Sequence, residues 1–384
     1  MPLSPMPERP APLILVTTPP EGQPFGSHAA IAADGQRLLA TSLSHRLGHL
    51  GAAVAPLPPS APAPGEPFHW GRWFTEAARS ALATANGSVD TIGYAGGGAL
   101  CLLADDALDI LLSPIPGEVV ANNRFSADAF VVAGDLERAL AALESCETDN
   151  AAARRLTDAG FACRDLGAMA WSRFDVDTTL DLALLRLAAH LPETGIRTLD
   201  GSVRAYLEMA RLPGDGTLEV PHLDSIGEVM RDQGAELVVA GRIPVSTWQQ
   251  LETETACRVR ALVEERGMRS ARDPDSYPRS ILAALMARSS PAELIGELTR
   301  LGDAVVLDTR VLMASVARSS DASEWPPEEE RFASDFGDHA RIKTPWLREL
   351  TGAAAQAPIP ILFGGHALVS DGVRLIIAAA WHGR

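Results

Sequence analysis

The sequence predicts an α/β protein of two lobes, each a Rossmann-like, three-layer arrangement around a mainly parallel sheet. Three observations predict it. Short apolar runs alternate with helical stripes along most of the chain, the grammar of strands covered by helices on both faces. The 384 residues, 46% of them hydrophobic, exceed what one core usually organises. The periodicity also fades around residues 192–221, where Gly201, Gly214 and Gly216 interrupt it, and then resumes. The expected organisation is a disordered leader over 1–12, a first domain over 13–195, a linker over 196–221 and a second domain over 222–384.

In the first lobe, Leu13–Val16 is a buried strand that exits through Thr17-Thr18-Pro19-Pro20. Leu39, Leu43, Leu47 and Leu50 fall on one helical stripe. Ala52–Leu57 is a second strand, followed by a proline-rich surface loop over 58–67. Trp70, Trp73, Phe74, Ala77, Ala78, Ala81 and Leu82 follow helical spacing, which makes them a buried helix face, not an aromatic binding box. Gly87 closes that helix, and Asn86-Gly87-Ser88 reads as its turn. Thr91–Ala95 is a strand running into Gly96-Gly97-Gly98, and Leu100–Leu112 reads as a helix. Glu118–Ala121 is a strand ending at Asn122-Asn123. Ala129–Ala133 is a further strand, Leu136–Ser145 a helix, and Leu180–Leu187 another after Asp175-Val176-Asp177.

The second lobe repeats the pattern. Ser225–Gln233 is a helix, and Leu237–Ala240 a strand ending at Gly241-Arg242. Ser246-Thr247-Trp248-Gln249 fits a capping box that opens a helix to about Thr255. Val259–Val263 is a strand that runs out into Arg266 and Arg269. Ser290-Pro291-Ala292-Glu293 fits a second capping box, with proline at the first helical position. Ala304–Leu307 ends at Asp308-Thr309-Arg310, and Ile359–Phe363 at Gly364-Gly365-His366. Trp325–Arg331 reads as an acidic, proline-broken loop, and Val373–Ala379 as the last strand.

Composition excludes several functions. A net charge of −16 opposes a nucleic-acid surface, which needs a basic patch, and repels anionic membrane. Of the 33 basic residues only Lys343 is a lysine, so Schiff-base or Walker-type lysine chemistry has one candidate. The four cysteines show no metal-ligand spacing and read as small core residues in a reducing compartment. The first twelve residues lack the basic and apolar regions of a signal peptide, and no stretch is apolar enough to span a membrane. A cytoplasmic protein, open to homo-oligomer formation, is the expectation. There is no Gly-x-Ser-x-Gly elbow and no histidine cluster with metal spacing.

In open α/β sheets ligands sit where strands end, so the strand exits form the candidate site. Gly96, Gly97 and Gly98 let a backbone approach a ligand and expose N–H groups to an anion, or equally make a tight turn. Asn122, Asn123, Ser126 and Asp128 can hydrogen-bond a base or sugar, or cap and turn the chain. Asp175, Asp177 and Asp181 supply hard oxygens suited to Mg²⁺. Asp177 is also well placed as N-cap of the following helix, with Asp181 in its first turn. In the second lobe Arg242, Arg266, Arg269 and Arg310 lie at strand ends with Asp308 and His366. Guanidinium forks there suit a phosphate or carboxylate, with His366 as acid or base, or they pair with the chain's many acids.

The glycine-rich turn Gly96–Leu103 and the late stretch Asp175-Val176-Asp177-Thr178-Thr179-Leu180-Asp181-Leu182 together resemble MobA-like and CofC-like nucleotidyltransferases. The resemblance covers roughly residues 10–195. It implies a first domain of nucleotide-diphospho-sugar transferase type, with Asp175 and Asp177 near a Mg²⁺ ion. It further implies NTP binding and nucleotidyl transfer to a small anionic, phosphorylated acceptor. The sequence departs from the family in two places. The segment Thr17–Ser27 lacks the arginine and lysine that hold the triphosphate, and Gly97-Gly98-Ala99-Leu100 lacks the middle-turn carboxylate. Phosphoryl transfer depends on such cations and metal. Two other readings follow: a nucleotide- or metabolite-binding protein without catalysis, or an enzyme whose only active site is in the C-terminal lobe, with Asp308 and His366 catalytic.

Overall fold

A computed structural model describes residues 10–20, 22–57, 68–85, 89–191, 199–265, 268 and 277–382. Most of the expected leader, the loop 58–67, Asn86-Gly87-Ser88, residues 192–198, Arg266 and Arg269 lie outside the described residues. The chain forms two compact units: Met1–Glu21 with Gln36–Asp175, and Gly22–Gly35 with Val176–Arg384. Both are α/β, with helices around sheets that are mostly parallel. Among the described residues no helix is long and apolar enough to cross a membrane.

In the first unit β1 (Leu13–Thr17) pairs in parallel with β2 (Ala53–Leu57) and β3 (Thr91–Ala95). The six-stranded order is β2-β1-β3-β5-β4-β6, with β4 at Glu118–Ala121, β5 at Ala129–Ala133 and β6 at Ala162–Asp165. Alternate residues of the central strands feed two cores. Leu13, Leu15, Ile92, Tyr94 and Phe130 pack with Trp70 and Phe74 of α2 (Trp70–Thr84). Ile14, Val16, Ala95 and Val131 pack with Leu43 and Leu47 of α1 (His28–His49) and Leu108 of α3 (Asp105–Leu112). The aromatic stripe is therefore core, as its spacing predicts. The buried, free cysteines Cys101, Cys146 and Cys257 also sit as expected, with Cys163 partly buried.

β5 runs antiparallel to both neighbours. Its link from β4, residues 122–128, is too short for a parallel crossover, which needs about a dozen residues. The expected helix from Leu100 begins only at Asp105. Leu100 has a left-handed backbone (φ 60°), which interrupts the helical path, and its carbonyl closes a tight turn with the Leu103 N–H; the buried Arg46 also donates to the carbonyls of Leu100 and Leu103 at 3.2 and 2.5 Å. α4 (Leu136–Glu144) matches expectation. α5 (Ala152–Asp158) and the half-exposed β6 carry too few apolar residues to stand out.

After the head of α1, the second unit continues with α6 (Thr179–His190) and α7 (Gly201–Met209), then the short hairpin β7 (Arg211–Leu212) and β8 (Gly216–Thr217). α7 and the hairpin fall within the stretch expected as a linker. α8 (Leu223–Arg231) leads into β9 (Glu236–Gly241), α9 (Val245–Glu254) and β10 (Arg258–Val263). α10 (Ile281–Arg288) and α11 (Pro291–Leu298) precede β11 (Ala304–Asp308) and α12 (Thr309–Ala317). α13 (Glu328–Asp335), α14 (Pro345–Ala355), β12 (Ile361–Gly364) and α15 (Val373–His382) complete it. The four long strands are all parallel, in the order β10-β9-β11-β12.

Ser290 caps α11 by accepting from the Glu293 N–H, with Pro291 at the first position; this is half of the expected capping box, without a bond from the Glu293 side chain back to Ser290 N among the described residues. Four expectations here are corrected. Val373–Ala379 is helical, because a buried apolar run does not by itself distinguish strand from helix. α9 starts at Val245 after Pro244 with no side-chain cap, so Ser246 opens no capping box. The acidic stretch from Glu328 is the first turn of α13, where three carboxylates favour the positive helix end. α6 is capped by Thr178, in a full capping box with Asp181, and not by Asp177.

Candidate functional site

In the first unit the strand-end residues are largely engaged by the fold itself. β1 connects outward on one side of the sheet and β3 begins the other side, so their carboxyl ends flank the topological switch point. The Gly96 N–H donates to the Asp128 carbonyl at 2.8 Å, and the Gly97 N–H to Thr17 Oγ1 at 3.0 Å. A Cβ on Gly97 would stand 2.6 Å from the Thr17 carbonyl oxygen, so glycine is required there for close approach of the two strands.

Asn122 is buried. Its Oδ1 accepts from Ala129 N, and its Nδ2 donates to Asp128 Oδ2 and to the Ser172 carbonyl. Asn123 Oδ1 accepts from Phe125 N, and the Ser126 hydroxyl donates to Asn150 Oδ1. These four polar residues fasten the β4–β5 link. Asp175 ends this unit, and Asp177 lies just inside the next.

In the second unit the parallel strands β9, β11 and β12 bring Gly241-Arg242, Asp308-Thr309-Arg310 and Gly364-Gly365-His366 to one sheet edge. The switch point of this sheet lies between β9 and β11. Arg242 crosses it: its Nε donates to Asp308 Oδ2 at 2.6 Å and its Nη2 to Oδ1 at 3.0 Å. Asp308 also caps α12, accepting from Arg310 N at 3.2 Å. Gly241 (φ 122°) makes room for this pair, since a Cβ there would stand 2.4 Å from Asp308 Cβ.

Arg310 forms a second fork. Its Nη1 and Nη2 donate to Asp335 Oδ1 and Oδ2 at 2.5 and 2.7 Å, and Nη1 also reaches Thr309 Oγ1. None of these bonds uses Arg310 Nε, which lies 3.6 Å from where a Cβ on Gly365 would stand. The side chains of Asp308 and Asp335 are 0% exposed.

The electrostatics assign roles. Burial would raise Asp308, but the Arg242 fork, with His366 and Arg310 nearby, holds it below the ordinary carboxylate range. Asp308 is therefore a fixed anion, and His366 lies in its field. Burial raises Asp335 against the pull of Arg310, while Asp335 in turn keeps Arg310 firmly charged.

Asp181 is different. Its Oδ2 accepts from the N–H groups of Asp177 and Thr178, whereas the buried Oδ1 has no hydrogen-bond partner among the described residues. Burial first, and the Asp177 charge second, push its pKa up to about 7, although Arg310 pulls it down.

The folded pKa of Asp181 lies above an unfolded value of about 3.9, so its contribution to stability is complete below that pH and is lost as pH rises through about 7. Asp181→Asn keeps an oxygen for the cap and removes the titration. Relative to wild type, the variant is expected to gain about 2 kcal/mol between pH 5 and pH 8, checked by urea unfolding at both.

The structure thus gathers Arg242, Asp308, Arg310 and His366, adds Asp335 and Asp181, and leaves Gly96–Gly98, Asn122, Asn123, Ser126 and Asp128 in the first unit. Asp335 was hidden because it pairs with Arg310 from α13, whose start had read as a loop. Among the described residues no group of three or more His, Cys, Asp or Glu side chains is arranged to hold a metal ion. No protein-family model matches this chain, and no curated protein compared with it matches either.

Proposed function

We propose that this chain binds a small anionic metabolite, phosphorylated or carboxylated, at the carboxyl edge of the second unit's sheet, with His366 as its proton-transfer group. The observation that carries this reading is the pair of doubly hydrogen-bonded Arg–Asp forks buried at the ends of β9 and β11. Replacing such a buried pair with well-packed apolar residues is often neutral or stabilising, so stability alone is a weak reason to keep two of them at a switch point. A fixed charged frame held ready for a polar ligand is a stronger reason. Arg310 contributes the Nε–H that its fork to Asp335 leaves over, beside Gly365.

The experiment is thermal unfolding with inorganic phosphate, citrate, sugar phosphates and nucleotides. A ligand at about a hundred times its Kd stabilises by about 2.7 kcal/mol, so the site's ligand is expected to raise Tm by several degrees. His366→Ala is expected to abolish turnover of that ligand. If no anion in the panel raises Tm, or if the shift survives in both His366→Ala and Arg242→Ala, this reading fails.

A second reading is favoured by the switch point of the first unit, where Gly96–Gly98 follow β3 beside Thr17. In it that unit binds a nucleotide, as the resemblance to MobA-like and CofC-like nucleotidyltransferases suggests, with Mg²⁺ at Asp175 and Asp177. A Tm increase from an NTP that requires Mg²⁺ and is lost in the Asp175→Ala, Asp177→Ala double variant would support it. A magnesium-independent increase that the double variant retains counts against it.

A further inference from the structure

The imidazole of His28 is 1% exposed, and neither ring nitrogen has a hydrogen-bond partner among the described residues. A neutral imidazole must still carry one N–H, so a buried donor is left unsatisfied. His28 is the first residue of α1, at the positive end of a 22-residue helix, where an added cation is disfavoured. Its ring stacks on Phe336 with centroids 5.4 Å apart.

Around it, the segment 22–35 is tied to the rest of the second unit by a few bonds. Ala29 N donates to Glu329 Oε2 at 3.0 Å, so the helix head is already capped by a carboxylate of α13. Thr179 Oγ1 on α6 donates to the His28 carbonyl at 2.7 Å, and the Tyr206 hydroxyl on α7 to the Ile31 carbonyl at 2.6 Å. Ala29 and Ala32 pack on Phe332 in a cluster of three buried residues. Ala30, Ile31 and Ala33 are buried as well and Gly35 lies close against Leu182, so the segment is packed around a titratable ring.

We propose that the head of α1 is an acid-released latch: protonation of the buried His28 ring detaches the 22–35 segment from its seat on α6, α7 and α13. The charged and titratable groups facing the ring are Glu329 from α13 and Asp338 and Arg341 from the turn over His339–Arg341. α6 presents the uncharged Thr179 to this end of α1 and carries Asp181 two positions on. α7 presents the Tyr206 phenol. The two carboxylates favour the charged ring, but burial opposes it more strongly and Arg341 adds to burial. The net direction is a pKa below the usual histidine range. The stability this ring contributes is present above an unfolded value of about 6.5 and is lost as pH falls through the folded one.

Amide hydrogen exchange on the full chain tests the latch, with rates corrected for intrinsic chemistry. Between about pH 7 and about pH 5, amides 29–35 of the wild type are expected to exchange about tenfold faster or more, while β9 and β11 stay protected. His28→Phe keeps a ring on Phe336 and cannot be protonated, so it is expected to hold the segment closed at both pH values. If the wild-type segment stays protected at the lower pH, or if His28→Phe opens as far as wild type, the proposal is overturned. Should His28→Phe not fold, the wild-type ring is titrated by NMR. A midpoint that coincides with segment opening supports the latch, and a midpoint at or above about 6.5 without opening overturns it.

Discussion

Arg310→Ala is expected to cost about 3–5 kcal/mol of stability, because it strands the carboxylate of Asp335, which is 0% exposed, without its partner. The same truncation removes the donor to Thr309 Oγ1 and opens space in a sheet edge that is otherwise tightly filled. The loss is therefore not a measure of what the pair adds. Removing both partners separates these meanings. Arg310→Met combined with Asp335→Leu is expected to recover most of the loss, since apolar replacements of a buried pair are often neutral or better. Urea midpoints of the wild type, both single variants and the double variant check this in one cycle. If the double variant is as unstable as the sum of the singles, Arg310 and Asp335 are not acting as a pair. Recovered stability with lost ligand binding would separate the frame's function from its folding role.

Gly241→Ala is expected to be the most damaging small change at the same edge, at about 2–4 kcal/mol, from backbone strain together with overpacking. Two effects combine. At φ 122° the backbone lies where side-chain-bearing residues rarely go, and the new methyl would meet Asp308 Cβ at 2.4 Å. Asp308 cannot move freely, since it caps α12 and holds the Arg242 fork. Relief is expected to come by displacing Asp308, so binding of the stabilising anion should weaken together with stability. A urea midpoint within experimental error of wild type would show that this turn is not held as the geometry requires.

Strand positions were the most legible part of the fold. Leu237–Ala240, Ala304–Leu307 and Ala129–Ala133 are short apolar runs bounded by turn residues, and each is a strand. Ser290-Pro291 was legible because a cap and a helix-starting proline act locally. Strand direction was less so, although the short 122–128 link already forbids a parallel crossover between β4 and β5. Val373–Ala379 failed for a different reason. Its residues are buried against α8, α9 and α6, so the apolar run lacks the one-sided periodicity that marks a surface helix. The Leu100 turn is not legible because a left-handed leucine is not a local signal, and Arg46, which holds the turn, is distant in sequence.

At the candidate site the arginines and Asp308 were legible as strand exits. Their pairing was not, because Asp335 comes from another helix and its partner is fixed only by tertiary packing. Asp181 was visible as a first-turn carboxylate, but its perturbed proton affinity arises from burial and from Asp177, which a helix pattern does not display.

A crystal of the full chain soaked with inorganic phosphate, and with the metabolite that best raises Tm, tests the binding edge most directly. Density is expected against Arg310, Gly365 and His366 at the ends of β11 and β12. Density confined to the Gly96–Gly98 end of the first unit's sheet, with the edge of the second unit bare, would contradict it.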